Sequence, residues 1–158
     1  MVARKVTAAS ATEDYSTLIH NLIAVVFEAA DTAVDPTIAG LLVAMVHLMN
    51  GKEFCGQERA TGSAGFAKGS FDSALTRRMT HLVEAQERCF EVFLGFADEQ
   101  SCRLLQDLRA HERENEIERL RKLGCSVGRY KPLDPELSDQ WFALMSERMD
   151  EFKKVEES

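Results

Sequence analysis

Little in this chain interrupts or rigidifies it. Proline stands only at positions 36, 132 and 135, and no segment alternates apolar and polar residues over the length of a strand, so the signature of a sheet is missing. Positive charge is in deficit. With 19 Lys and Arg against 26 Asp and Glu, the formal charge is −7 and the pI near 5.1, which removes the footprint of a general nucleic-acid binder. The longest apolar run, Ile38 to Met49, is broken by Gly40 and His47, and no apolar stretch follows Arg4 and Lys5 within the N-terminal segment to Ser10. Neither a membrane span nor a secretory leader is expected. Cys55, Cys89, Cys102 and Cys125 show no C-x-x-C spacing and read as free thiols in a reducing cytoplasm.

Signatures of chemistry are absent as well. No G-x-S-x-G, P-loop or G-x-G-x-x-G pattern occurs, and none of His20, His47, His81 or His111 follows a glutamate by three residues, as a di-iron bundle site requires. The chain reads as a non-enzyme, without metal or cofactor.

What is present is helical periodicity and enough apolar material for one core. The chain has 158 residues, 45% of them hydrophobic, one domain's worth. Residues 1–10 read as a flexible tail and 11–157 as a single helical-bundle domain. Ser10 and Glu13 form a capping-box pair ahead of a first helix whose apolar face is Leu18, Leu22, Val25, Val26 and Ala29. Asp35 and Pro36 open a long second helix that runs to Lys68. After Gly69 and Ser70, the row Phe71, Leu75, Arg78, Leu82, Ala85, Cys89, Val92 and Phe96 predicts an antiparallel third helix. Asp98 caps a fourth helix, in which Arg109 to Lys122 is expected to be solvated, ending at Gly124. A loop follows over 125–134. Pro135 then opens the last helix, with Trp141, Leu144, Met145, Met149 and Phe152 on one face. The fold class is all-α, an antiparallel bundle of about five helices.

The second helix is the anomalous one. Ile38, Met45, Lys52, Arg59 and Phe66 recur every seventh residue, with Leu41, Leu48, Cys55 and Gly62 between them. That is a packing seam with two cations in its middle. An unpaired buried guanidinium costs on the order of several kcal/mol, so Arg59 calls for a carboxylate or a bound anion. Gly51, Gly56, Gly62 and Gly65 also fall inside this helix, each costing up to about 1 kcal/mol relative to alanine. Close helix packing is one account of them, and a cavity beside Arg59, flanked by Cys55, Gly56, Gly62 and Ser63, is the other. Counted from the turn at Gly69, Arg78 lies within about 3 Å of Arg59 along the axis. The two could converge on one anion, or each could pair with Glu58, Glu84 or Glu87. A small-anion sensor and a helical interaction module held by arginine salt bridges both fit these residues. If the ligand is flat, arginine's planar fork suits it.

The run Lys52-Glu53-Phe54-Cys55-Gly56-Gln57-Glu58-Arg59-Ala60, continuing through Gly62 and Gly65-Phe66-Ala67 to Gly69 and Phe71, resembles the K-E-x-x-G-Q-E-R-A signature of the nitrate- and nitrite-sensing (NIT) family. Gln86 within His81 to Phe96, and Trp141-Phe142 with Arg148-Met149-Asp150 and Val155-Glu156, resemble the helices that follow it. The resemblance spans about residues 37 to 157. It implies an all-helical receptor module that binds nitrate or nitrite and signals to an effector, such as an antitermination RNA-binding domain, a kinase or a chemoreceptor. Arg59 would be the ligand arginine, with Lys52, Gly56 and Gln57 beside it in the signature; Arg78 joins the candidates only by its matching height on the third helix. The family's domain resembles two successive bundles, each with an arginine, and this chain is similar to the second alone. A homodimer bringing two copies of Arg59 together would supply the other half. The partners implied are nitrate or nitrite, a second copy of the chain and a downstream effector protein, but neither nucleic acid nor membrane.

Overall fold

The computed structural model of the protein describes residues 8–32, 35–128 and 130–157. Its helices are α1 (Ala8–Thr32), α2 (Pro36–Lys68), α3 (Ser73–Phe96), α4 (Glu99–Ala110), α5 (Glu112–Lys122) and α6 (Leu137–Glu156), with a π-helical turn at Leu123–Val127. No strand occurs among the described residues.

Local chemistry sets most of the boundaries. The Asp35 carboxylate accepts from the Thr37 amide at 2.8 Å and Pro36 occupies the first turn, an N-cap that satisfies an otherwise orphaned donor. Asp72 and Asp98 cap α3 and α4 in the same way. At the far end of α2, Gly69 takes the left-handed conformation, φ 70, which only glycine adopts cheaply. Its amide bonds back to Phe66, and its carbonyl accepts from Leu133, tying the 130s loop to the turn.

At 1.5 Å per residue α2 is about 50 Å long and serves as the axle. It is long and apolar enough, on length and composition alone, to cross a bilayer, but α1, α3 and α6 pack along it here. α3 runs antiparallel, with Phe71 against Gly65 and Phe90 against Gly51. α6 is antiparallel too: Ser138 donates to the Ser63 carbonyl at 3.1 Å and Glu156 pairs with Lys52 at 2.6 Å. Between them lies an aromatic core. Phe66 meets Phe71 edge-on at 5.0 Å, and Phe90 stacks on Phe152 at 5.3 Å, geometries that add to simple burial.

Several expectations are corrected. α1 is already helical at residue 8, so Ser10 lies inside it and the Ser10/Glu13 box does not start the helix; residues 1–7 of the expected tail lie outside the described residues. The expected α1 face is largely exposed, with Leu18 at 54%, Leu22 at 58% and Val25 at 64%, whereas Ile23 is buried. α1 carries two apolar rows, and its contact with α2 uses the one through Ile23. On α3 the core row is Met79, Leu82, Gln86, Phe90 and Phe93, which leaves Arg78 and Phe96 exposed. The fourth helix is two, broken at His111, whose backbone is extended and whose Nδ1 accepts from the Arg113 amide at 3.2 Å. The second of these is not simply solvated, because Ile117, Leu120 and Arg113 are buried.

Candidate functional site

Arg59 sits on the α2 face that α6 covers. Its Nη1 donates to the Ser146 hydroxyl at 2.9 Å, and its guanidinium lies over the Phe142 ring at 4.7 Å. Phe142 and Ser146 are one helical turn apart on α6, so they present ring and hydroxyl to the same spot. Ser146 is oriented by its own bond to the Phe142 carbonyl at 2.7 Å. Behind the side chain, the Trp141 indole donates to the Arg59 carbonyl at 3.0 Å. Among the described residues no carboxylate comes within ion-pair distance of Arg59, although Arg109, Arg121 and Arg148 all have one. The rest of the guanidinium is open to solvent rather than sealed in.

The neighbouring Glu58, a turn of 100° away on the helix, is entirely buried and belongs to a different system. Arg121 grips it with Nε and Nη2 at 2.6 and 2.8 Å, and Gln86 donates to it at 2.7 Å. Gln86 in turn accepts from Arg148 at 2.8 Å, and Arg148 reaches the Cys55 sulfur at 3.5 Å and pairs with Glu114 at 3.0 Å. This network joins α2, α3, α5 and α6 through the core. Burial alone would pull the Arg121 guanidinium down, but the hydrogen bonds and charge of Glu58 hold it above its ordinary value. Burial pushes the Cys55 thiol up, the nearby Arg148 charge notwithstanding. These groups tie the helices to one another.

The other sequence-predicted site residues scatter. Lys52 is occupied by Glu156. Gly56 lies on the α6 side, where an added Cβ would meet Met149 Cε at 3.4 Å. Gln57 turns toward α1, donating to Glu53 at 2.9 Å and Ser16 at 3.3 Å. Arg78 is exposed beside a groove of about 810 Å³ between α1, α2 and α3, with Ser16, Thr17, His20, Gln57 and Thr61. At 100° per residue, Gln57 and Thr61 each lie roughly 160° round α2 from Arg59. The expected convergence of Arg59 and Arg78 therefore does not occur. Nor do the proposed carboxylates serve them: Glu58 belongs to Arg121 and Glu87 to Arg109.

The cavity reading of the glycines also gives way. An added Cβ at Gly51 would stand 2.6 Å from Phe90, at Gly62 2.3 Å from the Trp141 indole, and at Gly65 2.4 Å from Phe71. Aromatic rings fill the space the missing side chains leave. Sequence reasoning did not single out Ser146, Arg121 or Arg148, because each meets α2 across more than 60 residues of chain. The one usable signal was antiparallel register, which sets the Phe142/Ser146 turn opposite Arg59. Among the described residues no cluster of His, Cys, Asp and Glu could hold a metal ion.

A model of the family described as nitrate and nitrite sensing matches residues 2–158. A nitrate regulatory protein of Klebsiella oxytoca is 35% identical over 155 residues, covering 98% of this chain and 38% of its own length. The solved structure of the NasR transcription antiterminator matches with a TM-score of 0.88 and 35% identity, over 98% of this chain and 41% of that one. The chain thus spans about two fifths of the length of these relatives.

Proposed function

The chain belongs to the nitrate- and nitrite-sensing family, and on that premise we propose that it is a non-enzymatic, cytoplasmic receptor module that recognises nitrate or nitrite through Arg59 in nitrate-responsive regulation. The observation that carries this reading is that, among the described residues, Arg59 on the face α6 covers has no carboxylate within ion-pair distance, whereas the buried or part-buried Arg109, Arg113, Arg121 and Arg148 each have one. Phe142 lies beneath the guanidinium and Ser146 engages one nitrogen. The remaining donors are a flat fork suited to two oxygens of a planar anion.

Gly56 and Lys52 share this face, and Lys52 would have to leave Glu156 to contribute. Gln57 and Arg78 do not belong to the site. One arginine is half of a convincing oxyanion clamp, and a second copy of the chain, meeting the first about a two-fold axis, would bring another Arg59 to the same ion. Output then passes to an effector protein. Nucleic acid has no part in the proposal, since α5 sets four glutamates among its four Lys and Arg, and Arg113 and Arg121 are turned into the structure.

Calorimetric titration with nitrate, nitrite and, as control, chloride tests the proposal on the wild type and on Arg59→Ala. Heat from nitrate or nitrite that disappears in the variant is expected, with a melting temperature that rises with ligand saturation in the wild type only. Equal heats from both proteins, or none from either, would refute it.

A further inference from the structure

Two arginines among the described residues meet a carboxylate bidentately, and both use the same edge of the guanidinium. Arg121 reaches Glu58 through Nε and Nη2 at 2.6 and 2.8 Å, and Arg119 reaches Glu116 through Nε and Nη2 at 2.8 and 2.7 Å. On this edge two N–H bonds run parallel, one to each oxygen. The alternative edge, Nη1 with Nη2, serves neither pair.

At Arg59 that same edge is free. Nη1 donates to the Ser146 hydroxyl at 2.9 Å, whereas neither Nε nor Nη2 has a partner among the described residues or is sealed from solvent. The hydroxyl carries one proton, and that proton is committed to the Phe142 carbonyl at 2.7 Å. Toward Arg59 it is therefore an acceptor only, with no proton left for an anion. The Phe142 ring, its centroid 4.7 Å from Cζ, takes up one side of the group. All five N–H bonds of a guanidinium point outward in its plane, so a ligand meets them along that plane.

An anion on the Nη1/Nη2 edge would set an oxygen at Nη1 beside the acceptor oxygen of Ser146, lone pairs facing. One on the Nε/Nη2 edge leaves the Ser146 bond intact. We propose that Ser146 is the positioning residue of the Arg59 site: by holding Nη1 it presents the Nε/Nη2 edge, and so favours an anion with two oxygens in one plane over a single-atom halide. The assignment rests on Arg59 being the ligand arginine, and adds the edge it uses and the residue that selects that edge. Two oxygens receive the parallel N–H bonds straight, whereas one halide atom receives both bent. A guanidinium freed from Ser146 must be fixed again before it can grip two oxygens, while a halide is served by any single N–H.

The test titrates nitrate and chloride separately, in buffer free of both, into the full chain and its Ser146→Ala and Ser146→Thr variants. Calorimetry gives the affinities, and proton–nitrogen correlation spectra follow the arginine Nε–H groups, the Arg59 signal being identified by its loss in Arg59→Lys. Nitrate is expected to move the Arg59 Nε–H signal of the wild type. Ser146→Ala should lower the nitrate-to-chloride affinity ratio about fivefold, and Ser146→Thr, which keeps the hydroxyl, should preserve it. Nitrate that binds the wild type without moving the Nε–H signal would overturn the proposal, as would a ratio unchanged in Ser146→Ala or lost equally in Ser146→Thr. Those results leave Arg59 as the ligand arginine. A wild type that takes up no nitrate would remove that reading, and the role of Ser146 with it.

Discussion

Replacing Glu58 by glutamine separates the fold from the site, because Glu58 and Arg59 are adjacent in sequence and opposite in role. The Glu58 side chain has no solvent exposure, and its two oxygens receive Arg121 twice and Gln86 once. Loss of its charge strands the Arg121 guanidinium, itself only 14% exposed, and loosens Gln86, which orients Arg148. Removing one member of a buried pair costs about 3–5 kcal/mol. At roughly 2–4 °C per kcal/mol for a chain of this size, the melting temperature of Glu58→Gln should fall by roughly 6–20 °C. Arg59→Ala loses one hydroxyl contact and one exposed ring contact, about 1 kcal/mol. Thermal and urea unfolding followed by circular dichroism reads both. A double variant, Glu58→Met with Arg121→Met, should recover most of the loss, since two apolar groups of similar volume leave no stranded charge. A Glu58→Gln shift no larger than that of Arg59→Ala, or a double variant whose loss equals the sum of the singles, would refute the reasoning.

Gly62→Ala drives a Cβ to 2.3 Å from the Trp141 indole and should destabilise by about 1–3 kcal/mol; Gly56→Ala, facing only the mobile end of Met149 at 3.4 Å, should be neutral or gain up to about 1 kcal/mol of helix propensity, and denaturation midpoints compare them. Burial lowers the His47 pKa from 6.5, so on acidification the unfolded chain takes up that proton first. The His47 contribution is therefore complete above about pH 6.5 and declines below it, and His47→Phe should flatten the fall in urea midpoint on acidification below that pH. Cys55 is fully buried with its thiol pKa raised, and mass spectrometry should find it unmodified by iodoacetamide after Cys102 has reacted; equal rates would place Cys55 at the surface.

The caps at Asp35, Gly69 and Asp98, and the packing rows of α2 and α6, were legible because their causes are local. Asp35 with Pro36, Asp98 and Gly69 mark helix ends through bonds within four residues of themselves, and the heptad row named the α2 face that receives α6. What escaped depended on distant chain. Nothing near His111 announces a break, since it is neither glycine nor proline and its cap forms through its own ring. Arg121 looks like surface charge until Glu58 is found across the core, and Arg113 until its face of α5 is found turned inward. α1 offered two apolar rows, and only the position of α2 decides which is buried. For the candidate site, the charge of Arg59 was legible but its surroundings were not. The nearby glycines suggested space, when Gly51, Gly62 and Gly65 are sockets for the rings of Phe90, Trp141 and Phe71 and Gly56 faces the end of Met149.

Trp141 is the chain's single tryptophan, fully buried, and its indole is hydrogen-bonded to the peptide unit that carries Arg59. The tyrosines, Tyr15 and Tyr130, are 69% and 80% exposed. The protein therefore contains its own optical gauge. Red-edge excitation selects one chromophore, and any event that polarises or shifts the backbone at Arg59 alters the acceptor of that indole and hence its emission, without a label.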